Sequence, residues 1–258
     1  MKQMGKVKKG VVFGLVGCCL SLFTSAQAET PILGTATVRA IHGTAKYKSA
    51  EGTWLPLKVG KNLTQGDTIS TATDTTLDLF LRQNGPVLRV MADTTVGLNI
   101  LNFTDSTGER VVNTQLGLTA GRILGNVKKL SASSTYEIKT PNGVAAIRGT
   151  DYDVSVEHHD QQYTVHFTCI SGTLVAASNV GSSFTVILNT GETWTAGERD
   201  KQVVPVATLE EMRKLLSFWD GRKGEDLFRN VPAPTIDVIT RIDPQTGSPN
   251  SSTLNIIP

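Results

Sequence analysis

The chain has 258 residues, with 25 lysines and arginines against 23 acidic residues and a formal net charge of +2. Lys2, Lys6, Lys8 and Lys9 precede the first acidic residue, Glu29, and without them the balance is 21 to 23; this excludes the basic excess of a typical nucleic-acid binder. With 33 Thr, 24 Val and 24 Gly and a hydrophobic content of 39%, the composition favours strands and turns and is too apolar for a disordered chain.

The N-terminal lysines lead into an uncharged stretch, Gly10 to Ala28, with an apolar centre from Val11 to Phe23 and Ala26-Gln27-Ala28 just before Glu29. A basic start, an apolar middle and an A-x-A site read as a secretory signal peptide over residues 1–28. An exported protein of the periplasm or cell envelope is therefore expected. Two other readings stay open. Leu15-Val16-Gly17-Cys18 resembles a lipoprotein signal, which would anchor the protein through Cys18, and the uncharged stretch is just long enough to cross a bilayer uncleaved. Beyond residue 28 only Cys169 remains, so no intramolecular disulfide is possible if cleavage follows Ala28. It lies in the alternating run Phe167-Thr168-Cys169-Ile170 and reads as a small buried side chain.

Residues 32–206 carry short alternating runs separated by turn signals and no helical period. Leu77, Leu79 and Leu81 alternate with Asp78, Phe80 and Arg82 up to the hairpin signal Gln83-Asn84-Gly85. Tyr152, Val154 and Val156 alternate with Asp151, Asp153 and Ser155, and Tyr163, Val165 and Phe167 follow across a polar loop. A weak repeat of strand, glycine and strand centres on Gly43, Gly121 and Gly172. It is followed by turns at Asp74-Thr75, Asn142-Gly143 and Thr190-Gly191. This pattern predicts a mainly β fold, a short irregular β-solenoid or β-roll of stacked strands, with a β-sandwich as the alternative.

The character changes after Val206. Thr208-Leu209-Glu210-Glu211 has the form of a capping box, and Leu209, Met212, Leu215, Leu216 and Trp219 share one apolar face up to Gly221. One amphipathic helix is expected over 207–221, packed on the β-domain. Residues 222–258, rich in Pro, Ser, Thr and Asn, read as an extended or disordered tail.

Several motifs, taken in order, resemble the FecR domain, the periplasmic module of bacterial iron-citrate signalling regulators. Trp54-Leu55-Pro56-Leu57 through Gly60, Leu63, Gly66-Asp67 and Ile69 to Thr71 fits the family's W-x-x-L-x-x-G-x-x-L-x-x-G-D pattern. Leu118 to Ile123 is similar to its l-x-x-G-x-[IV] strand. Thr140-Pro141 through Arg148-Gly149-Thr150 to Val154 looks like its TP…GT signature, and Ser171-Gly172-Thr173 and Asn189-Thr190-Gly191 resemble its close. The resemblance runs from about Val38 to Gly197. It implies a non-enzymatic interaction module that contacts another envelope protein in signalling or envelope organisation. The classical regulators also have a cytoplasmic segment, a membrane helix and a C-terminal transporter-facing module. None of these resembles a part of this chain, so iron-citrate control does not carry over.

Physically, the motif residues Trp54, Gly60, Gly66, Asp67, Pro141, Gly149, Thr150 and Gly172 read as architectural. Glycine before a strand permits positive φ, and Asp67 and Thr150 can cap neighbouring amides. Trp54, Leu57, Gly60, Leu63 and Gly66 recur every three residues, and Pro56 with two glycines disfavours a helix there. Candidate chemistry is sparse. Glu157-His158-His159-Asp160 is ligand-like but fills an expected hairpin loop. Asp151 and Asp153 share a strand face, as the carboxylate pair of a glycan hydrolase would. Trp54 and Trp194 could form a sugar platform, so a carbohydrate-binding module for peptidoglycan or a surface glycan is the alternative function. No catalytic residue, metal or cofactor is predicted, and no nucleic-acid partner.

Overall fold

The alternating runs become strands in the computed structural model. It describes residues 30–217, except residues 86, 107, 129, 182 and 183, and the backbone of 237–242 and 249–257. The first half of the β-domain holds β1 (Ile32–Leu33), β2 (Ala36–His42), β3 (Ala45–Lys48), β4 (Leu55–Pro56), β5 (Asn62–Leu63), β6 (Thr68–Thr71), β7 (Thr76–Phe80), β8 (Val87–Val90) and β9 (Thr95–Ser106). The long β10 (Glu109–Val127) follows. The second half holds β11 (Thr135–Thr140), β12 (Gly143–Ile147), β13 (Thr150–His159), β14 (Gln162–Ser171), β15 (Thr173–Ser178), β16 (Thr185–Asn189), β17 (Glu192–Thr195) and β18 (Gln202–Val203). The single helix among the described residues, α1 (Val206–Ser217), comes after them, and the separate pair β19 (Asp237–Ile242) and β20 (Pro249–Ile257) is antiparallel.

Two sheets curl around one core. Sheet A runs β4-β3-β6-β9-β10-β11-β12-β15-β16, with β1 beside β9. Sheet B runs β5-β2-β7-β8-β10-β13-β14-β17-β18. Every neighbouring pair is antiparallel except β10 and β11. β10 belongs to both sheets: its residues up to Ala120 pair with β9, and from Gly121 onward it pairs with β13. One continuous apolar cluster draws on both sheets, from Ala36 and Val38 through Leu98, Ile123 and Tyr152 to Trp194. Inside it the Tyr136 and Tyr152 hydroxyls meet at 2.9 Å, and Phe167 stacks on Trp194 with centroids 6.0 Å apart. These contacts satisfy the tyrosines' polar atoms within an apolar interior.

The glycine repeat marks where strands leave one sheet for the other. At Gly43, Gly121 and Gly172 φ is +95, +84 and +92, the left-handed region that glycine occupies without a Cβ clash. Each glycine faces a threonine from another corner. A Cβ on Gly43 would lie 3.0 Å from Thr75 Cα, and one on Gly121 would lie 2.5 Å from Thr94 Cα. On Gly172 it would lie 2.6 Å from the Gly149 carbonyl and 3.3 Å from Thr150 Cα. The threonine hydroxyl then bonds the residue after the glycine. Thr44 N and Arg122 N donate to Thr75 and Thr94 Oγ1 at 3.0 and 2.9 Å, and Thr150 Oγ1 donates to the Thr173 carbonyl at 2.5 Å. The repeat's second turns meet their glycines in the first and third cases, at Thr75 and Thr190. In the second case Thr94, rather than Asn142-Gly143, is the partner. The two halves bend at opposite edges of the molecule. In sheet B, β10 meets the end of β8 at Ile123↔Val90, whereas its far end, Val127, meets the start of β13 at Thr150.

The helix starts at Val206, two residues before the expected cap, so Thr208 lies in its first turn. Its buried Leu209 and Leu216 pack with Leu124, Ile170 and Val204, and Met212 and Leu215 flank them. α1 therefore lies on the outer face of sheet B. Arg89 links the two: its Nε and Nη2 form a fork to Asp78 at 2.8 and 3.0 Å, and its Nη1 donates to the Leu215 carbonyl at 2.5 Å. A cation there satisfies an end-of-helix carbonyl. Trp219, Gly221, most of the tail and the whole signal segment with Cys18 lie outside the described residues. Among the described residues no helix is long and apolar enough to cross a membrane.

Candidate functional site

Antiparallel register lines up outward-facing side chains across sheet B. Asp78, Arg89, Leu124, Asp153, Thr168 and Thr193 stand side by side on six neighbouring strands. Arg122, Ser155, His166 and Thr195 form a second row, with Arg122↔Ser155, Ser155↔His166 and His166↔Thr195 paired. α1 covers part of this face, and beside it opens a groove of about 550 Å³. Its floor includes Arg122, Asp153, His166 and Thr168, and Val204, Thr208 and Met212 stand at the helix side.

The floor is a linked polar set. Arg122 Nε lies 3.0 and 2.9 Å from the two Asp153 oxygens, and its Nη2 also donates to Asp153. Burial raises the Asp153 carboxyl above its ordinary value against the pull of Arg122. The same fork raises the guanidinium pKa. Thr168 and Thr193 hydroxyls share a hydrogen bond at 2.8 Å, and His166 Nδ1 lies 3.1 Å from Thr195 Oγ1. The groove thus offers a half-exposed cation, an imidazole edge and hydroxyls above an apolar helix flank. Those groups suit recognition of a polar segment by hydrogen bonds. The Asp153 oxygens are engaged by Arg122, and Asp151 accepts from Asn126 Nδ2, so each carboxylate of the strand pair is tied to a neighbour.

The other sequence candidates are dispersed. His158 and His159 end β13 at a tight turn where Asp160 and Gln161 have φ of 48 and 65. Among the described residues no group of three or more His, Cys, Asp or Glu is placed to hold a metal. Trp194 is buried at 1% exposure and Trp54 is 39% exposed, so the two rings form no common platform. Cys169 is fully buried, and burial first, then the charges of Glu192 and Asp151, push its thiol up to about 12. Asp67, 7% exposed, accepts from Thr64 N at 2.8 Å and fixes the Thr64–Asp67 turn, in which Gly66 has φ +92. Gly60 has φ +85 and Gly149 φ +63, each with no atom within 4 Å of a built Cβ, and the Pro141 carbonyl accepts from Asn179 at 3.2 Å. Sequence reasoning missed Arg122 and His166 as neighbours of Asp153. Their alternation with apolar residues was visible, but which strands pair was not.

Fold and site together define a mainly β module with an ion-paired groove walled by its own C-terminal helix. Residues 67–175 match the family model described as FecR protein, the family that the sequence motifs resemble. A comparison with curated proteins finds no match. Two crystal structures of a "putative anti-sigma factor" from Parabacteroides distasonis ATCC 8503, at 2.50 and 1.65 Å resolution, are similar at 13% and 14% identity. Their TM-scores are 0.41 and 0.42, and 60% of this chain is covered in each case. The chain spans 64% and 65% of the length of those structures.

Proposed function

We propose that this protein is an exported, non-enzymatic FecR-type sensing module, and that it contacts another envelope protein through the groove on sheet B. The family match over 67–175 supports the signalling class. The observation that carries the site is the groove's construction: an Arg122–Asp153 fork with His166 beside it, walled by α1. An ion pair to the buried Asp153 holds the half-exposed guanidinium in one direction, so its outer edge meets a partner's acceptor with less side-chain entropy lost on binding. The lysine-led apolar segment with Ala26-Gln27-Ala28 supports export, and Gly149, Thr150 and Gly172 act as scaffold. A photo-reactive residue at Ser155 or Glu157, activated in cells, tests the reading. A discrete adduct with one envelope protein, absent when the probe stands at Lys139 on sheet A, is expected. Equal adducts at both positions, or none, sink the groove as the contact surface.

A further inference from the structure

At the edge away from the groove, residues 54–63 form a strap between the two sheets. Leu55 and Pro56 pair with Tyr47 and Lys46 of β3 in sheet A, and Asn62 and Leu63 pair with Thr37 and Ala36 of β2 in sheet B. In between, Leu57 N donates to the Ala45 carbonyl and Val38 N to the Lys61 carbonyl, both at 2.9 Å. Leu57 and Leu63 point into the core at 6% and 0% exposure. Their neighbours on the strap face outward: Leu55 is 49% and Val59 61% exposed, and Lys58 is also exposed. Trp54 stands beside them. The ammonium groups of Lys46 and Lys48 lie 5.0 and 5.2 Å from its ring centroid, and Lys61 lies 4.9 Å from the ring of Tyr47.

Charge and apolarity are both unbalanced here. Between Lys46 and Lys61 there are four lysines and one acidic residue, Glu51. Among the described residues none of the four forms an ion pair with a carboxylate. Two ammonium groups share one indole with no carboxylate among the described residues paired to either, so the patch presents a net positive charge that an anionic partner complements. A soluble polyanion would meet the lysines and leave Trp54, Leu55 and Val59 in water. An anionic bilayer surface meets both needs: its headgroups take the ammonium groups, and its interfacial layer takes the indole and the two aliphatic side chains.

We propose that the 54–63 strap is an interfacial docking surface for anionic phospholipid. Each lysine close to such a surface strengthens binding about five-fold, the factor that corresponds to about 1 kcal/mol. The attraction fades once salt shortens the Debye length to a few ångströms. The test uses the chain from Glu29 onward, which carries the whole core cluster. It is sedimented with vesicles of three parts phosphatidylglycerol to seven of phosphatidylcholine, or of phosphatidylcholine alone, at low and high salt. Binding to the anionic vesicles alone is expected, with loss at high salt. Lys46→Gln with Lys48→Gln should weaken it about 25-fold, Trp54→Ala and Val59→Ser should weaken it further, and Lys214→Gln on α1 should leave it unchanged. Unchanged melting curves establish that the variants fold. Equal binding to both vesicle types, insensitivity to the lysines, or binding to soluble dextran sulfate that matches vesicle binding and ignores Trp54 would each overturn the proposal.

Discussion

Replacing Gly121 by alanine tests the corner geometry most directly. The residue sits at φ +84, where a Cβ costs about 1–2 kcal/mol through local clash. The new methyl would also lie 2.2 Å from Thr94 Oγ1 and 2.5 Å from Thr94 Cα. Because one of those atoms is backbone, a rotamer change cannot clear the overlap, and the start of β9 must move. That weakens the bonds between Thr94 Oγ1 and Arg122 N and O, now 2.9 and 3.2 Å. At roughly 1 kcal/mol each, the full loss comes to about 3–4 kcal/mol, a large share of the roughly 5–15 kcal/mol that holds a domain folded. Gly149→Ala is the control. Its φ of +63 carries the same conformational cost, but nothing lies within 4 Å of the new atom, so about 1–2 kcal/mol is expected. Urea melts of the two variants, compared by midpoint at equal slope, separate the two contributions. Equal losses would show that the threonine–glycine contact carries no weight and that only the backbone angle matters.

Other substitutions probe the remaining features. Leu209→Ala and Leu216→Ala should each destabilise by about 2 kcal/mol in urea melts, the low end for buried leucines, since both keep slight exposure; no change would mean α1 is not docked. Asp153 binds its proton more tightly folded than unfolded, because burial raises its pKa above 3.8. Its contribution to stability therefore declines as pH rises from about 3.8 through the folded value. The stability of wild type minus Asp153→Asn should fall over that window, and a rise would refute the assignment. Arg148 is 5% exposed, with Nε and both Nη atoms lacking a hydrogen-bond partner among the described residues, and burial lowers its pKa. Arg148→Met should raise the melting temperature by removing an uncompensated buried cation; a drop would show that the guanidinium is held by a favourable contact.

Local rules carried much of the fold. Period-two alternation located the strands, and Gly43, Gly121 and Gly172 marked the sheet-switching corners because only glycine accepts both the angle and the approach of a threonine. The three-residue recurrence from Trp54 to Gly66 was legible as a non-helical path. That it forms a strap plugged by Leu57 and Leu63 follows from β2 and β3 lying in different sheets, which no local pattern encodes. The groove was hidden for the same reason. Asp153 was visible as a carboxylate on a strand face, but Arg122 lies 31 positions earlier, and only the pairing of β10 with β13 brings them together. The helix was foreseen from its apolar stripe, while its early start at Val206 was masked by a plausible cap at Thr208.

β10 gives the fold an axle rather than a seam. The first half of the β-domain folds over at one edge and the second half at the other, and both pair along the same strand, β9 and β11 on its sheet A part and β8 and β13 on its sheet B part. No line divides the molecule into two pieces that each keep a closed core. A chain cut at Gly121 parts β8 from the β10 residues it pairs with in sheet B, and parts β11 from those it pairs with in sheet A. A pull transmitted along β10 from sheet A reaches the Arg122 side of the groove through one continuous backbone, so a load on one sheet is felt directly in the other.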